Sequence, residues 1–292
     1  MLGRLVHKFD EMALRISRDR MSALNQQMQA NILQSYRAAF LQGQPPIERL
    51  TDAGFRCYSE YEEDGIILYL LAAVGFKTRT VVELCCGNGS ECMAANLIIN
   101  HGFKGYLFDG AKANVAKARS FYRKQKECRF MTPEICQAWI TRDNINQLLA
   151  NAGATGEIDL LSLDMDGNDY YIWEAIDVIS PRVCVFETHN VIPGDLSLTI
   201  PYDETFFAWN KKGAEVDFRS VSLAAMQKLS TAKGYTMVGG HKHGFNVFFV
   251  RNDLMNSHLK SATINEVHDN EGTRMAQATR WEALKGMPWV EV

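Results

Sequence analysis

The chain has 292 residues, 47% of them hydrophobic, and a formal net charge of -3. That length holds one large α/β domain with appendages, and the lack of a dense Lys/Arg block argues against nucleic acid as the main partner. No apolar run approaches a membrane span, no secretory-type apolar region follows the charged N-terminus, and seven cysteines without a CxxC pair point to free thiols in a reducing cytoplasm.

Residues 1–46 read as a helical arm. Leu2, Leu5, Val6, Phe9, Met12, Leu14 and Ile16 recur near helical spacing among basic residues. Such a helix packs on the domain or on a second subunit, giving a homodimer, or lies on a membrane surface. Pro45 and Pro46 mark the junction. Ser59, with Glu62 three residues on, reads as the N-cap and capping box of an apolar helix running to about residue 74.

The alternation of strand and helix then begins. Residues 80–85 read as a first strand and 91–100 as its helix; 105–110 as a second strand and 112–124 as its helix. The third strand is expected at 138–141, with a helix to Leu149, the fourth at 158–166 with a helix over 170–178, and the fifth at 182–187. Residues 191–221, rich in aromatics and interrupted by Pro193, Gly194 and Pro201, read as a lid-like insertion. A helix at 223–233 and strands at 235–238 and 246–251 complete a doubly wound, mostly parallel sheet with an antiparallel last strand, and 255–292 form a polar tail. His241 and His243 fall on a glycine-flanked turn expected to face solvent, and Trp139, Trp173 and Trp209 are expected in the core or the lid.

The chemistry starts at Glu83-Leu84-Cys85-Cys86-Gly87-Asn88-Gly89, where an apolar strand ends in an acid and a glycine-bracketed turn. Glycine there lets the backbone approach a nucleotide. Asp109, 20 positions after Gly89, stands at the offset at which an acid takes ribose hydroxyls. Cys92 replaces the third glycine of a dinucleotide fingerprint, which turns the reading away from NAD.

The element order resembles that of the class I S-adenosylmethionine (SAM)-dependent methyltransferases over residues 58–254. Within them the chain is similar to an FkbM-like branch through Ser59 to Gly65, Asn96-Leu97-Ile98-Ile99-Asn100-His101-Gly102, Asp159 to Tyr170, and Asn246 to Leu254. The resemblance implies SAM as cofactor. Glu83, Gly87 and Gly89 would form the methionine-side loop, Asp109 would hold the ribose, and Asp143 or Asn144 would stand near adenine, with Asp164 also bordering the donor. Cys85 departs from the family pattern by occupying the place of its first glycine.

In a strand, residues two apart share a face. Asp164 and Asp166 on one strand, and Glu187 and His189 on its neighbour, are therefore expected to converge beside the donor. His189 or a carboxylate would take the acceptor's proton. Alternatively Asp164, Asp166, Glu187 and His189 would hold a divalent ion, Mg²⁺ or Mn²⁺ on oxygen ligands, as in the metal-dependent sugar O-methyltransferases that the Asp-x-Asp and strand-five acid resemble. Helix capping alone also explains acids at such strand ends. The expected activity is methyl transfer to a small polar or carbohydrate-like acceptor at oxygen. Aminocarboxypropyl transfer or cyclisation releasing methylthioadenosine, and a non-catalytic SAM-binding module, are the alternatives.

Overall fold

Runs of consecutive apolar residues, each closed by a polar group and followed by a helix, favour a parallel sheet covered on both faces. In a computed structural model all residues are described except Met1, Pro45, Pro46 and Lys211, and except the side chains of residues 2–20, Trp209 and Ala214. The expected proline junction, the apolar spacing of residues 2–16 and the setting of the Trp209 ring lie outside the described residues.

α1 (Leu2–Leu41) and α2 (Glu63–Val74) precede β1 (Thr80–Leu84), α3 (Met93–His101), β2 (Lys104–Asp109), α4 (Lys112–Lys124), β3 (Glu134–Gln137), α5 (Ile145–Ala152), β4 (Gly156–Leu163), α6 (Asp169–Ala175) and β5 (Ile179–Glu187). Then come β6 (Leu198–Thr199), α7 (Leu223–Ala232), β7 (Tyr235–Gly240), β8 (Asn246–Arg251), α8 (Ile264–His268), α9 (Glu271–Leu284) and β9 (Val290–Glu291). Seven strands form one sheet in the order β3-β2-β1-β4-β5-β8-β7. β8 alone runs antiparallel, between β5 and β7. This is the doubly wound, Rossmann-like architecture expected, with its N-terminal helical extension. Strand order reverses between β1 and β4, which opens a crevice at their carboxyl ends.

Alternation of side chains sorts each strand into two cores. Val81, Leu107, Leu160, Val185 and Phe248 pack with the second half of α1 and with α2, α3 and α4. Val82, Phe108, Leu161, Phe186 and Phe249 pack with α5, α6 and α7 on the other face. The Trp173 indole is 1% exposed in this second core. The second half of α1 docks through a buried polar network. Gln29 donates to Asn96 Oδ1 at 3.1 Å, Asn96 donates back at 2.9 Å, and His101 Nε2 donates to Gln29 Oε1 at 2.8 Å.

Several boundaries differ from the sequence expectation. β3 lies at Glu134–Gln137 rather than at 138–141, because only Ile135 of that short edge strand is deeply buried and its apolar signal is faint. Residues 139–144 instead close a turn in which Asn144 Oδ1 accepts the Thr141 N–H at 2.9 Å and Asn144 Nδ2 donates to the Trp139 carbonyl at 2.9 Å. β4 stops at Leu163, so Asp164 and Asp166 lie beyond the strand, and α6 ends at Ala175. Ser59 is not the N-cap residue of α2, whose cap position is Glu62, but its Oγ accepts the Asp64 N–H of the first turn at 3.2 Å. Asp64 Oδ2 accepts the backbone N–H groups of Cys57, Tyr58 and Ser59 at 2.7, 2.6 and 2.9 Å and shapes the turn itself. His241, expected in solvent, is 2% exposed. The tail folds back, and β9 pairs antiparallel with β6 of the 191–221 segment. No helix of the described residues is long and apolar enough to cross a membrane, and the seven cysteines are unpaired.

Candidate active site

The turn after β1 is built around two acids. Glu83 is buried and accepts the Met93 N–H at 3.1 Å, the Ala94 N–H at 2.6 Å and the Cys92 thiol at 2.9 Å, so it anchors the start of α3. Burial raises its pKa, and these three donors oppose the rise. Asp109 accepts the Gly87 N–H at 3.0 Å, the Ala111 N–H at 2.8 Å and an Asn114 Nδ2 proton at 3.2 Å. The ribose acid expected from spacing thus stands directly against the glycine turn.

Gly87 (φ 55) and Gly89 (φ 74) are left-handed, and so is Cys85 (φ 65). Cys85 therefore adopts the conformation that a first glycine would supply, at about 1–2 kcal/mol of backbone strain. A Cβ on Gly87 would meet nothing within 4 Å, whereas one on Gly89 would stand 3.0 Å from Ala118 Cβ and 3.0 Å from Tyr122 Cε2. Gly87 thus borders open space, and Gly89 lets the turn pack against α4.

Across the crevice, one ligand atom from each of Asp164, Asp166 and Glu187 lies within 4.8 Å of the others. Strand alternation does not bring them together, because β4 ends at Leu163. Asp166 is left-handed (φ 56), in a turn folded by Asp169, which accepts the Met165 N–H at 2.8 Å and the Gly167 N–H at 2.9 Å. Ser220 Oγ donates to Asp169 as well, at 3.3 Å. Arg219 forms an ion pair with Asp166.

Asp164 and Glu187 open part of their surface to the crevice but are otherwise enclosed by protein. Burial lifts Asp164 to about 7, a rise opposed by its hydrogen bond with Glu187 and reinforced by the charge of Asp166. Burial and then Asp164 raise Glu187 well above the usual carboxylate range. The hydrogen bond between the two carboxyls needs a proton, which the pair shares.

His189 is not part of this group. Beyond the end of β5 its backbone N–H donates to the Val221 carbonyl at 2.7 Å, and its Nε2 donates to the Asp217 carbonyl at 2.6 Å. Burial lowers its pKa to about 4, and its charged neighbours are Arg219, Asp217 and Arg280 rather than the three carboxylates. The chain leaves the sheet at Thr188, whose N–H donates to Phe245 O at 2.7 Å, and the alternation that would align His189 with Glu187 ends there. Asp143 is exposed and 3.8 Å from Arg142, while Asn144 Oδ1 and Nδ2 each make one bond within its turn.

The 191–221 segment lies over this edge. Trp139 Nε1 donates to the Glu204 carbonyl at 2.6 Å, and Arg142 N donates to Tyr202 Oη at 3.2 Å. Asn168 Nδ2 donates to the Asp203 carbonyl at 2.7 Å, and Phe206 packs so tightly on Gly167 that a Cβ there would stand 2.5 Å from its ring. Asp169, which folds the turn, and Arg219, which pairs with Asp166, are the residues of this site that the sequence expectation left out. The run Asp164-Met165-Asp166-Gly167-Asn168-Asp169 held a signal for the first, since an acid at a helix start can fold the turn before it. Nothing local marked Arg219.

No family model matches the chain, and no curated protein matches it. Among solved structures it is similar to magnesium protoporphyrin IX methyltransferase from Synechocystis PCC 6803 with bound SAM (12% identity, 65% of this chain and 77% of that one, TM-score 0.41). It is also similar to the N-terminal domain of EvdMO1 with S-adenosylhomocysteine bound (13% identity, 68% and 89%, TM-score 0.43). A third likeness is to a SAM-dependent methyltransferase from Clostridium acetobutylicum ATCC 824 (11% identity, 64% and 88%, TM-score 0.40).

Proposed function

We propose that this chain is a SAM-dependent methyltransferase that methylates an oxygen of a small polar or carbohydrate-like acceptor, with the Asp164–Glu187 pair receiving the proton. The observation that carries the reading is the position of that pair. It stands across the switch-point crevice from the Gly87–Asp109 turn, and burial has set Asp164 to about 7. A base near neutrality is the one best matched to general-base work.

In this reading the ribose hydroxyls displace the Gly87 N–H from Asp109, and the methionine end follows the turn toward Gly89. The acceptor hydroxyl loses its proton to Asp164 as its oxygen attacks the methyl carbon. The carbon–sulfur bond breaks with its electrons going to sulfur, so the sulfonium becomes a neutral thioether. General-base assistance supplies roughly 10²–10⁴ in rate, and alignment of the two reactants supplies the rest. His189, neutral and tied to Asp217, holds the lid segment rather than taking the proton.

A second reading has a specific observation behind it. Three carboxylate oxygens within 4.8 Å are a donor set suited to Mg²⁺ or Mn²⁺. Asp164, Asp166 and Glu187 would hold the ion without His189, and it would orient and acidify the acceptor hydroxyl. Arg219 and the shared proton now balance the charge that such an ion would neutralise.

Calorimetry with SAM, S-adenosylhomocysteine and NAD, with and without Mg²⁺ or Mn²⁺, tests the donor. Binding of the adenosyl-sulfur ligands but not NAD is expected; failure of both to bind overturns the reading. Release of methylthioadenosine instead of S-adenosylhomocysteine would replace methyl transfer by another SAM-consuming reaction. Asp164→Asn is expected to keep donor binding and lose about 100-fold or more in turnover; His189→Ala is expected to retain most of it.

A further inference from the structure

On the face of the sheet shared by Glu83, Asp109 and Glu187, the row of edge residues continues beyond the carboxylates. Asn246, at the start of β8, is the register partner of Glu187, and paired residues of antiparallel strands present their side chains on one face. Asn246 Nδ2 donates to Glu63 Oε1 at 2.8 Å, and the Tyr61 N–H donates to Glu63 Oε2 at 2.9 Å. Both Glu63 and Asn246 are buried, at 0% and 1% exposure. A buried carboxylate is costly unless its bonds are made, and here those bonds lock the start of α2 to the turn between β7 and β8.

That turn is fixed from its other side too. Its His243 carbonyl accepts from Asn190 Nδ2 at 3.2 Å and from Thr273 Oγ1 at 3.1 Å. The outcome is an aromatic wall. The Tyr61 ring centre lies 4.4 Å from that of His243, 5.7 Å from that of His241 and 5.7 Å from that of Phe245, and Tyr61, His243 and Phe245 are all half-buried.

Two buried polar atoms at the base of the wall make no hydrogen bond: Asn246 Oδ1, and His241 Nε2, which stands 3.8 Å from Glu63 Oε1. His241 Nδ1 meets Asn246 twice, 3.2 Å from its backbone nitrogen and 3.3 Å from its carbonyl oxygen. A hydroxyl both donates and accepts, so one alcohol group beside this turn can donate to Asn246 Oδ1 and, with the ring proton on Nε2, accept from His241. The wall adjoins the donor loop through the Cys92 N–H, which donates to Tyr58 O at 3.0 Å. The cations nearby are each already paired: Arg56 with Glu91 at 3.4 Å, Lys242 with Glu62 at 3.2 Å, and Arg219 with Asp166.

We propose that Tyr61, His243 and Phe245, with His241 and Asn246 beneath them, form the acceptor subsite, and that it takes an uncharged ring bearing hydroxyls. The ring's apolar face lies on the aromatic wall, one hydroxyl meets the His241–Asn246 pair, and another reaches toward Glu187 and Asp164. The acids along the row and the paired cations exclude phosphorylated or carboxylated rings. This inference rests on the proposed methyl transfer, and its failure is separable because donor binding is read independently.

The test uses saturation-transfer NMR on the full chain loaded with S-adenosylhomocysteine. Phenyl β-D-glucopyranoside, myo-inositol and catechol are the uncharged probes, and glucose 6-phosphate the anionic one. Transfer to at least one uncharged probe is expected, with none to the phosphate. Tyr61→Ala should weaken that probe's binding about tenfold, as loss of one ring-stacking contact would, while Tyr61→Phe retains it and calorimetry shows unchanged S-adenosylhomocysteine affinity in both. Saturation of no uncharged probe, equal binding of the phosphate, or binding that survives Tyr61→Ala overturns the subsite. Failure of S-adenosylhomocysteine to bind the parent chain would overturn the methyltransferase reading instead.

Discussion

The two glycines after β1 should respond to the same substitution in opposite ways. Both are left-handed, so alanine at either costs about 1–2 kcal/mol of backbone strain. At Gly87 nothing else is added, because the new methyl would find open space within 4 Å. At Gly89 the methyl would press on Ala118 and Tyr122, each 3.0 Å away, adding roughly 1–3 kcal/mol of overpacking. Chemical denaturation should therefore place Gly87→Ala about 1–2 kcal/mol below the parent and Gly89→Ala about 2–5 kcal/mol below it. Calorimetry with S-adenosylhomocysteine should show the reverse ranking. Gly87→Ala fills the space where the donor backbone contact is proposed and should lose at least about tenfold in affinity, or ~1.4 kcal/mol. The folded fraction of Gly89→Ala should lose less. Parent-like affinity in Gly87→Ala would show that the donor does not use this turn, and equal stabilities would refute the packing argument.

Other expectations follow from the buried acids and imidazoles. Turnover should rise with pH through about 7 as the Asp164–Glu187 pair drops from two protons to a single shared one and Asp164 becomes free to act as base, an apparent value belonging to the pair; a profile flat from pH 5 to about 9 would remove the pair from the mechanism. His101 is held near 4 by burial against a free value of 6.5. The unfolded chain therefore binds a proton that the folded one refuses, and this site weakens the fold as pH falls from 6.5 toward 4. His101→Gln should flatten that part of the stability curve by about 1.4 kcal/mol per pH unit, whatever it does to the absolute value. Asp159, at the opposite sheet edge, is fully buried, accepts the N–H groups of Lys77 at 2.7 Å and Thr78 at 3.0 Å, and lies 3.6 Å from Arg182. Asp159→Ala should cost about 3–5 kcal/mol in urea denaturation yet leave donor affinity alone; a selective loss of binding would contradict a purely structural role.

The frame of the sheet was readable because its strands are continuous apolar runs whose polar punctuation marks the carboxyl edge. The contact of Asp109 with the glycine turn was legible from spacing, since the turn and the strand end that it joins are separated by one helix of constrained length. β3 escaped because an edge strand with one deeply buried residue carries almost no pattern. Asp164, Asp166 and Glu187 were grouped correctly for an incomplete reason: the period of a strand was applied past its last residue, while the convergence comes from the Asp169 turn. The same extrapolation misplaced the His189 ring. His241 reads as a turn residue locally and becomes core only because Glu63, 178 positions earlier, packs on it. Arg219 and the folding back of the tail are likewise set by partners remote in sequence.

The fastening of the 191–221 segment has a kinetic consequence. It is tied to Trp139 on one bank of the crevice, to Asn168 on the other, to Arg280 of α9 through Asp217, and to the C-terminal strand through β6. A flap hinged at one end swings freely; a cover stitched on every side must release many bonds together before a molecule passes. Association of an acceptor with such a protein should be slow beside entry into an open crevice, and thickening the solvent should slow that association further while the chemical step keeps its dependence on pH.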